Sequence, residues 1–211
     1  EAGYQAHWFG QKTYNGVALI SPATGTEVVK NIPGFEDDMS RVIAATYPDG
    51  AGGSVRVIGA YFPNGQAPDS DKFVYKMRWL SALRQWVKED MATHNNLVLM
   101  GDYNITFDDL DVWDPVGLAG TIHCTPEERA HLMGLINLGL HDSFRLFEQA
   151  EKSLKGFKSQ GFDQAEIILK NDQSKFYRIS LGTEHSMDDG YAKASELKKS
   201  KKVDIWVFKA L

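Results

Sequence analysis

The chain has 211 residues, 43% of them hydrophobic and 24% charged, with a formal net charge of −5. This composition suits a globular protein with one large core or two small ones, and no run approaches the roughly 18 apolar residues of a membrane span. The single cysteine, Cys124, excludes an internal disulfide and leans toward the cytoplasm.

Charge is unevenly spread. Residues 1–150 balance at −8 and residues 151–211 at +3, a break that suggests two units. The acidic first part gives no general electrostatic reason to bind nucleic acid, so any such contact has to be local. The opening EAGYQAHWFG has no basic stretch leading into an apolar one, and no signal peptide is expected. It also lacks an initiator Met and reads as though residues precede it.

Gly16–Ser21 (GVALIS), Arg41–Tyr47 (RVIAATY), Ser54–Tyr61 (SVRVIGAY) and Leu97–Met100 read as strands, being short, rich in Val and Ile, and bounded by turn residues. Pro48-Asp49-Gly50 and Gly52-Gly53 mark a hairpin-like turn. Phe73 to Met91 reads as a helix capped by Ser70 or Asp71, with Phe73, Met77, Leu80, Leu83 and Val87 at helical spacing. Thr125-Pro126-Glu127-Glu128 is a capping box with proline at the first helical position; its helix runs to about Leu138 and ends at Gly139. After residue 148 the rhythm changes. Gln149–Ser159 reads as a helix, Gln164–Lys170 and Lys175–Leu181 as strands, Ser186–Lys199 as a helix and Val203–Lys209 (VDIWVFK) as a last strand.

The stretch LVLMGDYNI, Leu97 to Ile105, brings Asp102 and Asn104 to a strand tip. Two residues apart in extended chain, their side chains leave on one side. A carboxylate there can bind a divalent cation or take a proton from water, and an amide can hold a phosphate oxygen. Tyr61, Asn64 and Lys72 also stand at or just after strand ends, with Tyr61 leading into a Pro-Asn-Gly turn. Taken alone, Gly-Asp-x-Asn after a strand is most often a turn with Asx hydrogen bonds. Asp108, Asp109 and Asp111 read as a solvated acidic loop. His7, His94, His123, His131 and His141 show no metal spacing, and Cys124 and the Trp79/Trp86 pair read as packing residues.

The segments GQKTYNGVALIS, VIGAYFPNGQ, DKFVYKMRWL, LVLMGDYNI, DLDVWDP, CTPEERAHL and LGLHDSFR resemble, in order and spacing, the exonuclease III-type nucleases of the endonuclease/exonuclease/phosphatase superfamily. The resemblance covers about residues 1–148. It implies a two-sheet α/β sandwich that cuts DNA phosphodiesters at 3′ ends and beside abasic sites with Mg²⁺ or Mn²⁺. It implies that Asp102 orients or deprotonates the attacking water, that Asn104 steadies the phosphate, and that Tyr61 lies near the scissile bond. Asn64 and Lys72 are the implied substrate contacts, and Asp102 with Asn104 an incomplete metal set. The family's early Asn, its Leu-Gln-Glu-Thr glutamate, its late Asp-x-x-hydrophobic strand and its Ser-Asp-His motif have no counterpart in these residues. Little or no nuclease activity is therefore expected. Glu184 to Asp189 contains His185, Asp188 and Asp189, the right residue types for a site, but reads as a helix cap.

Residues 151–211 resemble a second family, the sporulation-related repeat or SPOR domain, in FEQAEKSLKGFKSQGFDQAEIIL, KFYRISLG and MDDGYAKASELKKSKKVDIWVFK. That resemblance implies a small α+β unit over 149–211, its first strand at 141–147, that binds peptidoglycan; Phe176, Tyr177, Trp206 and Phe208 are core or sugar-stacking residues, and the lysines from Lys198 to Lys202 a solvated helix end. The expected whole is a composite: a partial exonuclease III-like sandwich over 1–148, joined near Ser143–Gln149 to the SPOR-like unit. It is expected to be a monomer with no membrane span, to meet double-stranded DNA with abasic sites or 3′ ends, and to act in the cytoplasm, or in the cell envelope if the second unit is functional.

Overall fold

A computed structural model describes residues 2–168, 178–181, 184 and 186–201 of the chain. The chain divides into two compact units, Glu1–Leu140 and His141–Leu211.

The first unit is built on a four-stranded sheet. Its strands are β3 (Thr26–Lys30), β4 (Val42–Pro48), β5 (Ser54–Tyr61) and β6 (Leu97–Asp102), in that spatial order. The pairs β3/β4 and β4/β5 are antiparallel, and β5/β6 is parallel. The parallel pair needs a crossover, which is α1 (Asp71–Thr93). A separate antiparallel hairpin, β1 (Gln5–Gly10) and β2 (Gly16–Ser21), packs across the sheet.

Burial follows from these layers. In β4, Val42 and Ala44 point to the helix side, while Ile43, Ala45 and Tyr47 point to the hairpin side. All five are buried, because both faces are covered. That is why RVIAATY reads as a continuous apolar run rather than an alternating one. On the helix side, α1 lays Trp79, Leu80, Leu83, Trp86 and Val87 onto Ile58, Ala60 and Phe62. On the other, Leu19 of β2 meets Ile43, with Phe9 and Val17 beside it. The tryptophan pair thus serves the core, and Cys124 is buried with its sulfur 3.3 Å from the Thr106 hydroxyl.

Local signals set the ends of elements. Ser70 caps α1, its hydroxyl accepting from the Phe73 N–H at 3.2 Å. At the β4–β5 turn, Asp49 Oδ1 accepts from the N–H groups of Ala51 and Gly53, both at 2.9 Å. Thr125 and Glu128 cap α2 (Pro126–Ile136) reciprocally, as the capping box predicts. The strands β1 and β3 are elements the sequence pattern does not announce. In β1 the adjacent Trp8 and Phe9 are respectively exposed and packed on the core, so its apolar residues do not alternate; β3 has a register shift after Thr26, with Glu27 at φ +49°.

The second unit holds α3 (Ser143–Ser159), β7 (Glu166–Ile168), β8 (Arg178–Ser180) and α4 (Met187–Lys201). The two strands pair antiparallel, with Ile167 opposite Ile179. The expectation of a strand at 141–147 is corrected: Ser143 to Phe147 is the start of α3, because Asp142 caps it by accepting from the Arg145 N–H at 3.1 Å. The division between units falls at Leu140/His141 rather than at 148/149, where the composition breaks. Ser186 caps α4, accepting from the Asp189 N–H at 3.1 Å. His185, Phe176, Tyr177 and the expected strand Val203–Lys209 with Trp206 and Phe208 lie outside the described residues. Among the described residues no helix is long and apolar enough to cross a membrane.

Candidate active site

The parallel strands β5 and β6 end together, with Tyr61 opposite Asp102 in the register. In an open α/β sheet the carboxyl ends of strands are where ligands meet loops. Gly101 makes the ending possible. Its φ is +140°, and a Cβ there would overlap the Ala60 carbonyl oxygen. Only glycine lets β6 approach β5 this closely just before the aspartate. The ladder continues one step further, the Phe62 N–H donating to the Asp102 carbonyl at 2.9 Å.

Asp102 and Asn104 form one unit at the exposed tip. The Asn104 N–H donates to Asp102 Oδ1 at 3.0 Å, the Asx bond that the local sequence predicts. The Asn104 side-chain amide then donates to Asp102 Oδ2 at 3.2 Å and to the Phe62 carbonyl at 3.1 Å. Both carboxylate oxygens and both amide hydrogens are thereby engaged. Asn104 itself is left-handed, φ +47°, a conformation asparagine tolerates better than most residues. Tyr61 is half-buried, and the Arg41 guanidinium lies 5.0 Å from its ring centroid.

Asn64 stands in the turn that follows β5. Its Oδ1 accepts from the Gln66 N–H at 3.0 Å, and its Nδ2 lies 3.3 Å from His123 Nε2. Lys72 is exposed in the first turn of α1, and no hydrogen bond or ion pair joins it to this group among the described residues. The lysine that reaches the group is Lys76, one turn further along. Lys76 and Glu128 are both fully buried and paired at 2.5 Å. Lys76 Nζ also donates to the carbonyls of Asn104, at 2.6 Å, and Asn64, at 3.1 Å. Burial pushes the Lys76 ammonium below the usual lysine range, against the opposing pull of the Glu128 and Asp102 carboxylates.

Three participants escaped the sequence reading: Lys76, Glu128 as its partner, and His123. A signal existed for the first. Lys76 sits between Phe73 and Leu80 on the buried stripe of α1, where a lysine is out of place unless paired. Asp108, Asp109 and Asp111 form a capped 3₁₀ turn, with Asp109 held by Arg129 at 2.7 Å. Asp102 is the hard oxygen donor that Mg²⁺ and Mn²⁺ take. Yet both its oxygens already accept from Asn104, and among the described residues no three His, Cys, Asp or Glu come together as a cation site. These donors do not make up a metal centre by themselves.

The family model described as "Endonuclease/Exonuclease/phosphatase family" matches residues 2–152. The exodeoxyribonuclease III of Haemophilus influenzae is 30% identical over 174 residues, covering 76% of this chain and 64% of its own length. Among solved structures, the 3′ phosphatase NExo from Neisseria, bound to a product DNA hairpin, is 44% identical with a TM-score of 0.64. An AP endonuclease from Archaeoglobus fulgidus is 30% identical with a TM-score of 0.61. Each solved match covers 68% of this chain and 54% of the other. The chain therefore spans between about half and two thirds of the length of these relatives.

Proposed function

Because the chain belongs to the endonuclease/exonuclease/phosphatase family, we propose that its first unit hydrolyses DNA phosphodiesters at 3′ ends and beside abasic sites. The observation that carries this reading is the hydrogen-bonded Asp102–Asn104 pair at the shared end of β5 and β6, where Tyr61 stands opposite Asp102 in the register. Phosphoryl transfer requires a positioned water, donors aimed at the developing charge and an in-line approach. In this reading Asp102 accepts the proton of a water whose oxygen attacks phosphorus. The P–O ester bond breaks, and the leaving oxygen takes a proton from solvent. An Asn104 amide hydrogen, released from Asp102 Oδ2, turns to a phosphate oxygen. Asn64 has one amide hydrogen beyond the one facing His123 and takes another phosphate oxygen, and Lys72 meets the backbone of the DNA from the exposed first turn of α1.

Mg²⁺ or Mn²⁺ would neutralise charge on the phosphate, and Asp102 is the carboxylate of this chain that would hold it. One carboxylate and one amide hold such a cation weakly, so turnover is low. The names of the relatives favour 3′ ends as the first substrate to try, with abasic duplexes second. Such work on DNA belongs in the cytoplasm. The test is cleavage of a duplex with a recessed or phosphorylated 3′ end, and of an abasic duplex, by the chain and by its Asp102→Ala variant with Mg²⁺. Activity lost in the variant supports the reading; equal activity in both assigns the cutting to a contaminant and removes it.

The second unit supports a separate proposal. Its described order, helix, antiparallel pair, helix, is the order that the SPOR resemblance implies. As the alternative to the cytoplasmic reading, we propose that it binds peptidoglycan, which would place the chain at the cell envelope instead. Co-sedimentation of the full chain with purified peptidoglycan tests this, and a chain that stays in solution at every concentration tried ends it.

A further inference from the structure

Four groups behind the strand tip close a ring. Lys76 Nζ donates to the Asn64 and Asn104 carbonyls. The Asn104 carbonyl is also 2.6 Å from His123 Nδ1, and His123 Nε2 is 3.3 Å from Asn64 Nδ2. The ring runs Lys76, Asn104, His123, Asn64 and back to Lys76. It joins four separate segments: the turn after β5, α1, the turn after β6, and the loop before α2.

Its internal logic is determinate. A carbonyl only accepts, so His123 Nδ1 must carry the hydrogen that points at Asn104. In a neutral ring Nε2 is then the acceptor, and Asn64 must offer its amide nitrogen rather than its oxygen. That leaves Asn64 Oδ1 for the Gln66 N–H, where it is found. The third Lys76 hydrogen goes to Glu128, whose other oxygen accepts from the Thr125 N–H and hydroxyl. Every ammonium hydrogen has a fixed acceptor. Gly65 leaves the lysine its path: a Cβ there would meet the Lys76 Cδ at 2.9 Å.

We propose that Lys76 and His123 are positioning residues, which hold Asn104 in its left-handed conformation and orient the Asn64 amide for phosphate. The assigned role rests on the nuclease reading above; the ring itself does not. Neither residue touches substrate. Lys76 pins the two asparagine backbones, and His123 decides which face of the Asn64 amide looks outward.

The test uses the full chain, single-turnover cleavage of a 3′-recessed duplex with Mg²⁺, thermal unfolding and ¹⁵N NMR of the His123 ring. Two variants preserve folding by design. His123→Gly places glycine at a φ of +71°, where it is unstrained. Lys76→Met/Glu128→Gln removes both buried charges together and keeps an acceptor for Thr125. Both should remain folded, yet the maximal rate should fall about 10- to 100-fold, with half-saturation changed less than about threefold, as misplacement by an ångström does. Folded variants that cleave within about twofold of wild type overturn the role. At a pH of about 8.5, where histidine is neutral, wild-type His123 should be the Nδ1–H tautomer. An Nε2–H tautomer overturns the ring whatever the cleavage result. A wild-type chain that cuts nothing while showing Nδ1–H overturns the nuclease reading and the role with it, and leaves the ring as a structural clasp.

Discussion

Lys76→Met alone should destabilise the first unit severely. The side chain and its partner Glu128 are both fully buried, so the substitution leaves a carboxylate without its counter-ion in the core. Methionine fills the space of the lysine stem but supplies no donor. Glu128 Oε2 keeps the Thr125 N–H at 3.1 Å and hydroxyl at 2.9 Å, while Oε1 loses the ammonium. Removing one member of a buried pair costs about 3–5 kcal/mol, most of it the price of the stranded charge. The Asn64 carbonyl also loses a donor, worth about 1 kcal/mol, whereas the Asn104 carbonyl keeps His123. For a unit of this size the loss corresponds to a fall of roughly 10–15 °C in Tm. Urea unfolding read by tryptophan fluorescence measures it directly, because Trp79 and Trp86 are buried in the core that α1 forms. The double variant Lys76→Met/Glu128→Gln should regain most of the loss, since no charge is left inside. A single variant that loses less than about 1 kcal/mol, or a double variant no more stable than the single one, would refute the reasoning.

Three further outcomes are expected. Gly101→Ala forces a side chain against the Ala60 carbonyl at a φ of +140°, and should cost at least about 2 kcal/mol; an unchanged urea midpoint would mean the strands can part there at no cost. Thr125→Ala removes the hydroxyl that caps α2 and bonds Glu128, with an expected loss of about 1–2 kcal/mol by the same assay; a loss near zero would assign the cap to the backbone alone. His131 has a buried Nδ1 without a partner among the described residues, and burial, then the Arg84 charge, lowers its pKa from 6.5. The unfolded chain then takes up a proton that the folded chain refuses, so stability falls as pH drops below 6.5, until the folded ring is protonated too. His131→Leu should reduce the difference in urea midpoint between about pH 7.5 and 5.5, and an unchanged difference would place the acid sensitivity elsewhere.

Much of the frame was legible in the residues. The runs GVALIS and SVRVIGAY are strands at the expected bounds, since β-branched residues between turn formers leave little else to do. The α1 stripe and the Thr125–Glu128 box mark their helices because capping and helical spacing act over a single turn. Elements whose apolar residues do not alternate, such as β1 with Trp8 exposed beside the packed Phe9, or whose register shifts, such as β3, carry no periodic signal. The helix starts at Ser143 rather than Gln149, because the cap supplied by Asp142 extends it through Ser143-Phe144-Arg145, a tripeptide that both family resemblances share.

That Gly101, Asp102 and Asn104 arrive together at the end of β6 follows from spacing along one strand, which is a property of the chain. What lies behind them comes from long-range packing. Lys76, Asn64, Asn104, His123 and Glu128 come from four segments as much as 64 residues apart, and they meet because the parallel pairing of β5 and β6 brings two turns to one side of α1. No local pattern encodes a buried ammonium with three acceptors. Such a group forms where folding has already excluded water, and it is tolerated there because every hydrogen finds a partner.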